Sequence, residues 1–182
     1  MKGNISSALF AVLLLIAVLL ACGGSTDESD KADKLVAQAN TAVQDYKKYL
    51  TDANEKVKRM VQMKVSQLAE AKTLANEAIG LYDRAEDKLK EAASKLEEAS
   101  KLKIDDGYKQ YLTLEVKANN KRAEAIEAYK GVPQGLIDSQ SRESFMSRED
   151  AAVRKFEQLD KEADDLSAQA DKISKIKRDT IK

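Results

Sequence analysis

A repeat of seven residues runs through the first half of this 182-residue chain and limits the folds that it can adopt. One position of the repeat is apolar at every step but one. Its members are Val36, Val43, Leu50, Val57, Lys64, Ala71, Ala78, Ala85, Ala92 and Ala99. A second apolar position follows it, first three residues and then, beyond Met60, four residues later. Such a repeat is typical of α-helices that pack along a coiled-coil seam, so it predicts an all-α fold.

The composition agrees with long helices. Alanine, lysine, glutamate and leucine dominate, charged residues make up 34% of the chain and aromatic residues 5%, which is typical of coiled coils. Residues 31–103 contain no proline and a single glycine, Gly80. We therefore predict one helix over about residues 31–103, roughly 110 Å long if it is straight. The alternative is a break near Thr51–Asn54, because these residues cap helices well.

Two further helices are predicted after this stretch. Asp105 or Asp106 can cap a helix over about residues 106–130, which ends at the breaker Gly131-Val132-Pro133. Residues 131–146 lack periodicity and are predicted to be a loop. The last helix is predicted over about residues 147–181, with Ser147 as its N-cap.

The stretches 28–103 and 106–182, before and after Ile104-Asp105, are nearly equal in length. A reversal there would lay the second half along the first. We predict an elongated antiparallel helical bundle, or a coiled-coil-like hairpin of long helices, with two arms or with three to four helices. In this arrangement Tyr129 faces Tyr82, and the predicted loop lies near Gly80, where a missing side chain leaves room for an approaching backbone.

The amino terminus carries a separate signal. An unbroken apolar run of 14 residues, Ala8–Ala21, follows a short start that contains Lys2. This run is shorter than the roughly 20 residues that a membrane-spanning helix needs, and it fits the apolar region of a secretory signal. The run closes with Leu19-Leu20-Ala21-Cys22, which contains the only cysteine of the chain. This stretch resembles the lipobox of bacterial lipoproteins.

The resemblance implies that residues 1–21 are a signal peptide and that Cys22 becomes the lipidated amino terminus of the mature chain. Residues 22–30 then form a flexible tether and residues 31–182 the helical domain. The protein is expected on a cell membrane, facing the periplasm or the cell exterior. Because Gly23 and not aspartate follows the cysteine, the resemblance favours the outer membrane in a Gram-negative host. The alternatives are an uncleaved signal anchor and a secreted protein with a free thiol.

The sequence offers little that catalysis would need. It contains no histidine, no glycine-rich phosphate loop and no G-x-S-x-G motif. Acid pairs such as Glu97-Glu98 have lysine neighbours, as on a solvated helix face. We predict no enzyme activity, no catalytic residues, no cofactor and no metal. The 31 basic and 31 acidic residues are interleaved, which argues against nucleic-acid binding because that needs a clustered basic face.

Two kinds of function remain. The first is a lipid-anchored scaffold or spacer of the cell envelope, held to the membrane through Cys22, with a protein partner or self-association. The second is a periplasmic chaperone-like or adaptor module that holds clients between its helices, in an apolar groove near Tyr108, Tyr111 and Phe145. Residues 131–146 are either a connector or a functional loop. If these residues are a functional loop, the expected partner contacts are Leu136, Ile137, Phe145 and Met146.

Overall fold

The computed structural model describes residues 26–180, with side chains from residue 27 to residue 175. The predictions for the signal peptide, residues 1–21, and for Cys22 lie outside these residues. The described part consists of helices joined by short turns and contains no strand, which confirms the all-α prediction. The helices are α1 Thr26–Val61, α2 Leu68–Ser100, α3 Asp106–Tyr129, α4 Gly131–Asp138 and α5 Arg142–Thr180, with a 3-10 turn at Val65–Gln67.

The helices form an elongated antiparallel bundle, as predicted. α1 packs against α2, α2 packs against α3 and α4, and α3 and α4 pack against α5. α4 follows α3 after the single residue Lys130, whose carbonyl accepts a hydrogen bond from the Gln134 N–H across the junction (3.1 Å). The Lys72 ammonium, near the start of α2, donates to the Ile137 carbonyl (3.2 Å). α3 and α4 together therefore run beside almost the whole of α2.

The alanines of the seven-residue repeat line the core side of α2. Ala71, Ala78, Ala85, Ala92 and Ala99 are all buried, and their small side chains let the neighbouring helices approach. The predicted pairing of α2 with α3 is confirmed by the rings of Tyr82 and Tyr129, which meet edge to face at 5.7 Å between centroids.

The prediction of one helix over residues 31–103 is wrong. The chain reverses at residues 62–67, between α1 and α2, so that the start of α1 lies beside the end of α2. There the Glu28 carboxylate accepts a hydrogen bond from the Lys103 N–H (3.2 Å). α1 alone is 36 residues long, which corresponds to about 54 Å.

The alternative break near Thr51–Asn54 is not found either. The Thr51 hydroxyl donates to the Lys47 carbonyl within α1 (2.9 Å). The Asn54 side-chain oxygen accepts a hydrogen bond from the Tyr82 hydroxyl of α2 (2.7 Å). Side chains that would cap a helix end are thus bonded inside a continuous helix instead.

The predicted loop over residues 131–146 is mostly helical, so this prediction is also wrong. Pro133 is the third residue of α4, within the first turn of the helix, where a proline needs no N–H partner. α5 begins at Arg142 and not at residue 147. Its N-cap is Ser141, whose hydroxyl accepts a hydrogen bond from the Ser144 N–H (3.2 Å).

The remaining boundaries are close to the predictions, with one difference. α3 matches the predicted helix over residues 106–130, and Asp105 caps it by accepting a hydrogen bond from the Tyr108 N–H (2.9 Å). Residues 26–30, which the sequence assigns to the tether, already belong to α1. Asp27 and Glu28 stand in its first turn, where the helix dipole favours acids.

The expected role of Gly80 is not observed. Gly80 is exposed, and a Cβ atom added to it would meet nothing within 4 Å. The close approach lies between α4 and α5 instead. A Cβ on Gly131 would lie 3.1 Å from the Cβ of Ala152, and one on Gly135 would lie 3.3 Å from the Cβ of Arg148.

Candidate functional site

The large exposed apolar side chains of the described residues gather at one end of the bundle. Val65 is 90% exposed, and Val61, Leu68 and Met146 are about half exposed. The first three surround the reversal between α1 and α2. Met146 belongs to the same end, because its neighbour Phe145 packs on α4, which lies beside the start of α2. We call this end the distal end, and the opposite end, where α1 begins, the proximal end.

The reversal between α1 and α2 contains neither glycine nor proline. The N–H groups of Gln62 and Met63 donate to the carbonyls three residues earlier (3.2 Å each), which tightens the end of α1. Lys64 is extended, with φ −78° and ψ 159°, and its N–H donates to the Gln67 side chain (3.3 Å). The following 3-10 turn, Val65–Gln67, has no buried residue. The chain therefore carries Val65 outward on an ordered turn.

The same stretch is basic. We call residues 56–69 the tip: they contain four cations, Lys56, Lys58, Arg59 and Lys64, and no carboxylate. Lys56 pairs with Glu77 of α2 (2.5 Å). The other three cations are exposed, and no ion pair of the described residues includes them. The tip thus combines exposed apolar side chains with unpaired positive charge.

The residues predicted to contact a partner from the segment 131–146 also lie at the distal end. Leu136, Ile137 and Phe145 are half-buried and pack against the core of the bundle. Met146 is 52% exposed. Three of the four side chains therefore already have partners within the chain, and a contact through this segment stays a prediction. The exposed residues of the tip were not among the predicted contacts.

A second unusual feature is a polar cluster inside the bundle, between α3 and α5. Glu115 is 2% exposed, and Asn119 and Ser167 are also buried. The Arg122 guanidinium donates to the Asp164 carboxylate (3.0 Å) and to the Ser167 hydroxyl (3.2 Å). The Asn119 amide donates to the Glu115 carbonyl (2.9 Å) of its own helix.

The carboxyl group of Glu115 is only partly satisfied by this cluster. Its Oε1 atom is buried and has no hydrogen-bond partner. Burial raises the pKa of this carboxyl to about 7, and Asp171 adds to the rise, while Arg122 and a hydrogen bond from Ser167 oppose it. Burial favours the neutral form of a carboxyl because the charged form loses its hydration.

On α1, the buried Tyr46 interacts electrostatically with Arg122 and Asp164 of this cluster. Burial raises the pKa of its phenol to about 12, with Arg122 opposing the rise and the carboxylates of Asp160 and Asp164 adding to it. This phenol therefore stays neutral at every physiological pH. The cluster was not predicted, although its signal is present in the sequence: Glu115 and Arg122 stand seven residues apart, in line with Tyr108 and Tyr129 on the apolar side of α3.

The two best-formed concave surfaces of the described residues are open grooves. An open groove of about 680 Å³ lies along α3, where α2 and α5 flank it. Its lining includes the cations Lys90 and Lys155 and the carboxylates of Glu86, Glu124 and Glu127. Within residues 26–180 there is also no group of three or more metal-ligating side chains.

Comparisons with known proteins identify no relative. No family model matches the chain, and no curated protein and no solved structure matches it. Among the described residues, no helix has the length and hydrophobicity that crossing a membrane requires. The function has to be inferred from the chain's own residues.

Proposed function

We propose that this chain is a lipid-anchored protein of the bacterial cell envelope, whose helical bundle serves as a spacer that presents a contact surface at its distal end. Lipid on Cys22 holds the proximal end at the membrane. In a Gram-negative host this is the outer membrane. The protein works through binding and not through catalysis.

One observation carries this proposal: among the described residues, the large exposed apolar side chains gather at the distal end. Exposed apolar groups that cluster on a monomeric protein often mark a binding surface, whereas apolar side chains exposed singly are ordinary. α1 begins only four residues after Cys22 and runs to the tip, a distance of about 54 Å for its 36 residues at 1.5 Å each. A short link and a long helix together suit a spacer.

The alternative is a chaperone-like or adaptor module that grips clients between its helices. It needs an apolar groove near Tyr108, Tyr111 and Phe145. Tyr108 stacks on Tyr111 near the proximal end (6.2 Å between centroids), and Tyr111 is buried. Phe145 packs on Gly135 near the distal end. These rings do not share a groove, so we favour the spacer.

The contact surface is tested by placing a photo-crosslinking amino acid at residue 65 in cells. We expect crosslinked products from position 65 that are absent from position 48. Lys48 is the matched control, because it is exposed and lies midway along α1. Equal products from both positions would reject the distal end as the contact surface.

The anchor is tested separately by labelling cells with radioactive palmitate. We expect label in the native chain and none in Cys22→Ala, together with a shift of Cys22→Ala to the unprocessed size. Unchanged processing of the variant would contradict the anchor while leaving the contact surface open to its own test.

A further inference from the structure

We infer that the tip, residues 56–69, binds the surface of an anionic phospholipid bilayer, so that the protein links the membrane that anchors it to a second membrane surface. This inference rests on the proposed function and names the partner of its contact surface. Three properties of the tip carry it: its exposed apolar side chains, its charge and its shape.

The apolar side chains are arranged for insertion to a shallow depth. Val65 stands on a 3-10 turn with no buried residue, and Val61 and Leu68 flank it on the two helix ends. Each buried CH₂ group contributes about 0.8 kcal/mol to membrane binding. Three aliphatic side chains on one turn therefore give a binding contribution that does not require a matching pocket.

The charge of the tip complements an anionic surface. Lys58, Arg59 and Lys64 surround the apolar side chains, are exposed, and take part in no ion pair of the described residues. Residues 56–69 contain no carboxylate, and the exposed Glu55 and Glu70 directly outside them take part in no ion pair of the described residues. Cations at an anionic lipid surface contribute about 1 kcal/mol each. The tip's three unpaired cations therefore outnumber the two carboxylates that flank it.

The position and shape of the tip favour a bilayer over a protein groove. It is a convex turn at the very end of the bundle, and a lipid surface accepts a convex group without a preformed cavity. The neighbouring turn between α4 and α5 is flanked by Asp138, Arg142 and Glu143, whose formal charges sum to −1, so it does not attract an anionic surface. The reversal between α1 and α2 is therefore the part of the distal end that meets the lipid.

The test measures the tethering of two vesicle populations by the full protein, processed and lipidated in a bacterial host. The protein is reconstituted into phosphatidylcholine vesicles held on beads. Fluorescent acceptor vesicles of phosphatidylglycerol or of phosphatidylcholine are then added, and the fluorescence that stays on the beads is measured. We expect capture of phosphatidylglycerol vesicles and not of phosphatidylcholine vesicles, with capture falling as the salt concentration rises.

Single substitutions at the tip separate the electrostatic contribution to membrane binding from the apolar one. Lys64→Gln should weaken binding to phosphatidylglycerol vesicles about fivefold, the equivalent of one cation. Val65→Ser should weaken it roughly tenfold, since it removes about two CH₂ equivalents. Both positions are exposed, so neither change disturbs the core. Lys48→Gln, an exposed and unpaired cation on the middle of α1, is the matched control and should leave binding unchanged.

The outcomes distinguish this inference from the proposed function. Equal capture of both lipids, or capture that Val65→Ser and Lys64→Gln leave unchanged, overturns the inference. Capture of neither lipid, with a protein crosslinked to residue 65 in cells, means that the partner is a protein; the spacer function then stands and the lipid contact is rejected. If the protein does not enter the donor vesicles, the anchor fails, and sedimentation of the same preparation with each acceptor lipid tests the tip alone.

Discussion

Among the described residues, Glu115 has a buried carboxyl oxygen without a hydrogen-bond partner. The ionisation of this carboxyl makes the stability of the protein depend on pH. Its folded-state pKa of about 7 is raised from the ordinary 4.5 by burial. The folded state therefore holds the proton more tightly than the unfolded state. As pH rises from about 4.5 to about 7, the unfolded state loses this proton first, so this carboxyl lowers the free energy of unfolding across that window.

Glu115→Gln should remove this pH dependence, because the amide has nearly the same shape and does not ionise. The stability of the variant relative to the native chain should rise between about pH 4 and about pH 8, by at most about 3 kcal/mol. Urea unfolding at a series of pH values measures this difference. Asp160 and Glu149, whose pKa values are also raised by burial, occur in both proteins, so their contributions cancel. Parallel stability curves would contradict the prediction.

At the scale of the helices, the sequence predicts well which stretches are helical and predicts poorly where the chain reverses. The repeat continues in phase through Val57, Lys64 and Ala71 although the chain reverses between them. The reversal occupies about one heptad, so the seams of α1 and α2 read as one uninterrupted repeat. It also lacks the glycine or proline that marks a turn. The shift of the second apolar position near Met60 was the available sign, and it resembles the ordinary drift of a straight helix.

The tip and the polar cluster were missed for related reasons. An exposed apolar residue such as Val65 cannot be told from a core residue until the turn is known. Glu115 and Arg122 resemble the many solvated charges of this chain, and only the packing of α5 on α3 buries them. By contrast, the caps and breakers near Asp105 and Gly131 act through local backbone chemistry, so the ends of α3 could be predicted.

The glycines of the helices should respond in opposite ways to substitution by alanine. Gly80→Ala should raise the free energy of unfolding by about 1 kcal/mol, because alanine is the better helix former and the new Cβ meets nothing within 4 Å. Gly131→Ala should lower it by roughly 1–2 kcal/mol, because the new Cβ lies 3.1 Å from that of Ala152 and forces α4 away from α5. Urea unfolding of the two variants provides the comparison. A gain in stability for Gly131→Ala would show that α5 does not pack closely on α4.

At the scale of the whole molecule, α2 contributes residues to both core clusters of the bundle. The distal cluster joins α2 to α1, the end of α3, α4 and the start of α5, and contains Ala71, Ala78 and Ala85. The proximal cluster joins it to the starts of α1 and α3 and to the later part of α5, and contains Ala92 and Ala99. One column of small side chains therefore sets the spacing of the helices along the length of the bundle, and with it the rigidity that a spacer needs.

Replacing one of these buried alanines of α2 by leucine should push the neighbouring helices away from α2 at that position. Ala85→Leu and Ala92→Leu add three carbon atoms at fully buried positions, so each should lower the free energy of unfolding by roughly 1–3 kcal/mol through overpacking. Ser94→Leu is the matched control on α2, because Ser94 is exposed. Lys90 suits this purpose less well, since its ammonium pairs with Glu86 (2.6 Å). Thermal melts of the three variants decide the question: the control should melt like the native chain, and lowered melting temperatures are expected for the other two. If Ala85→Leu and Ala92→Leu both melted like the native chain, these side chains would face water. α2 would then not pack against the other helices through this row of alanines.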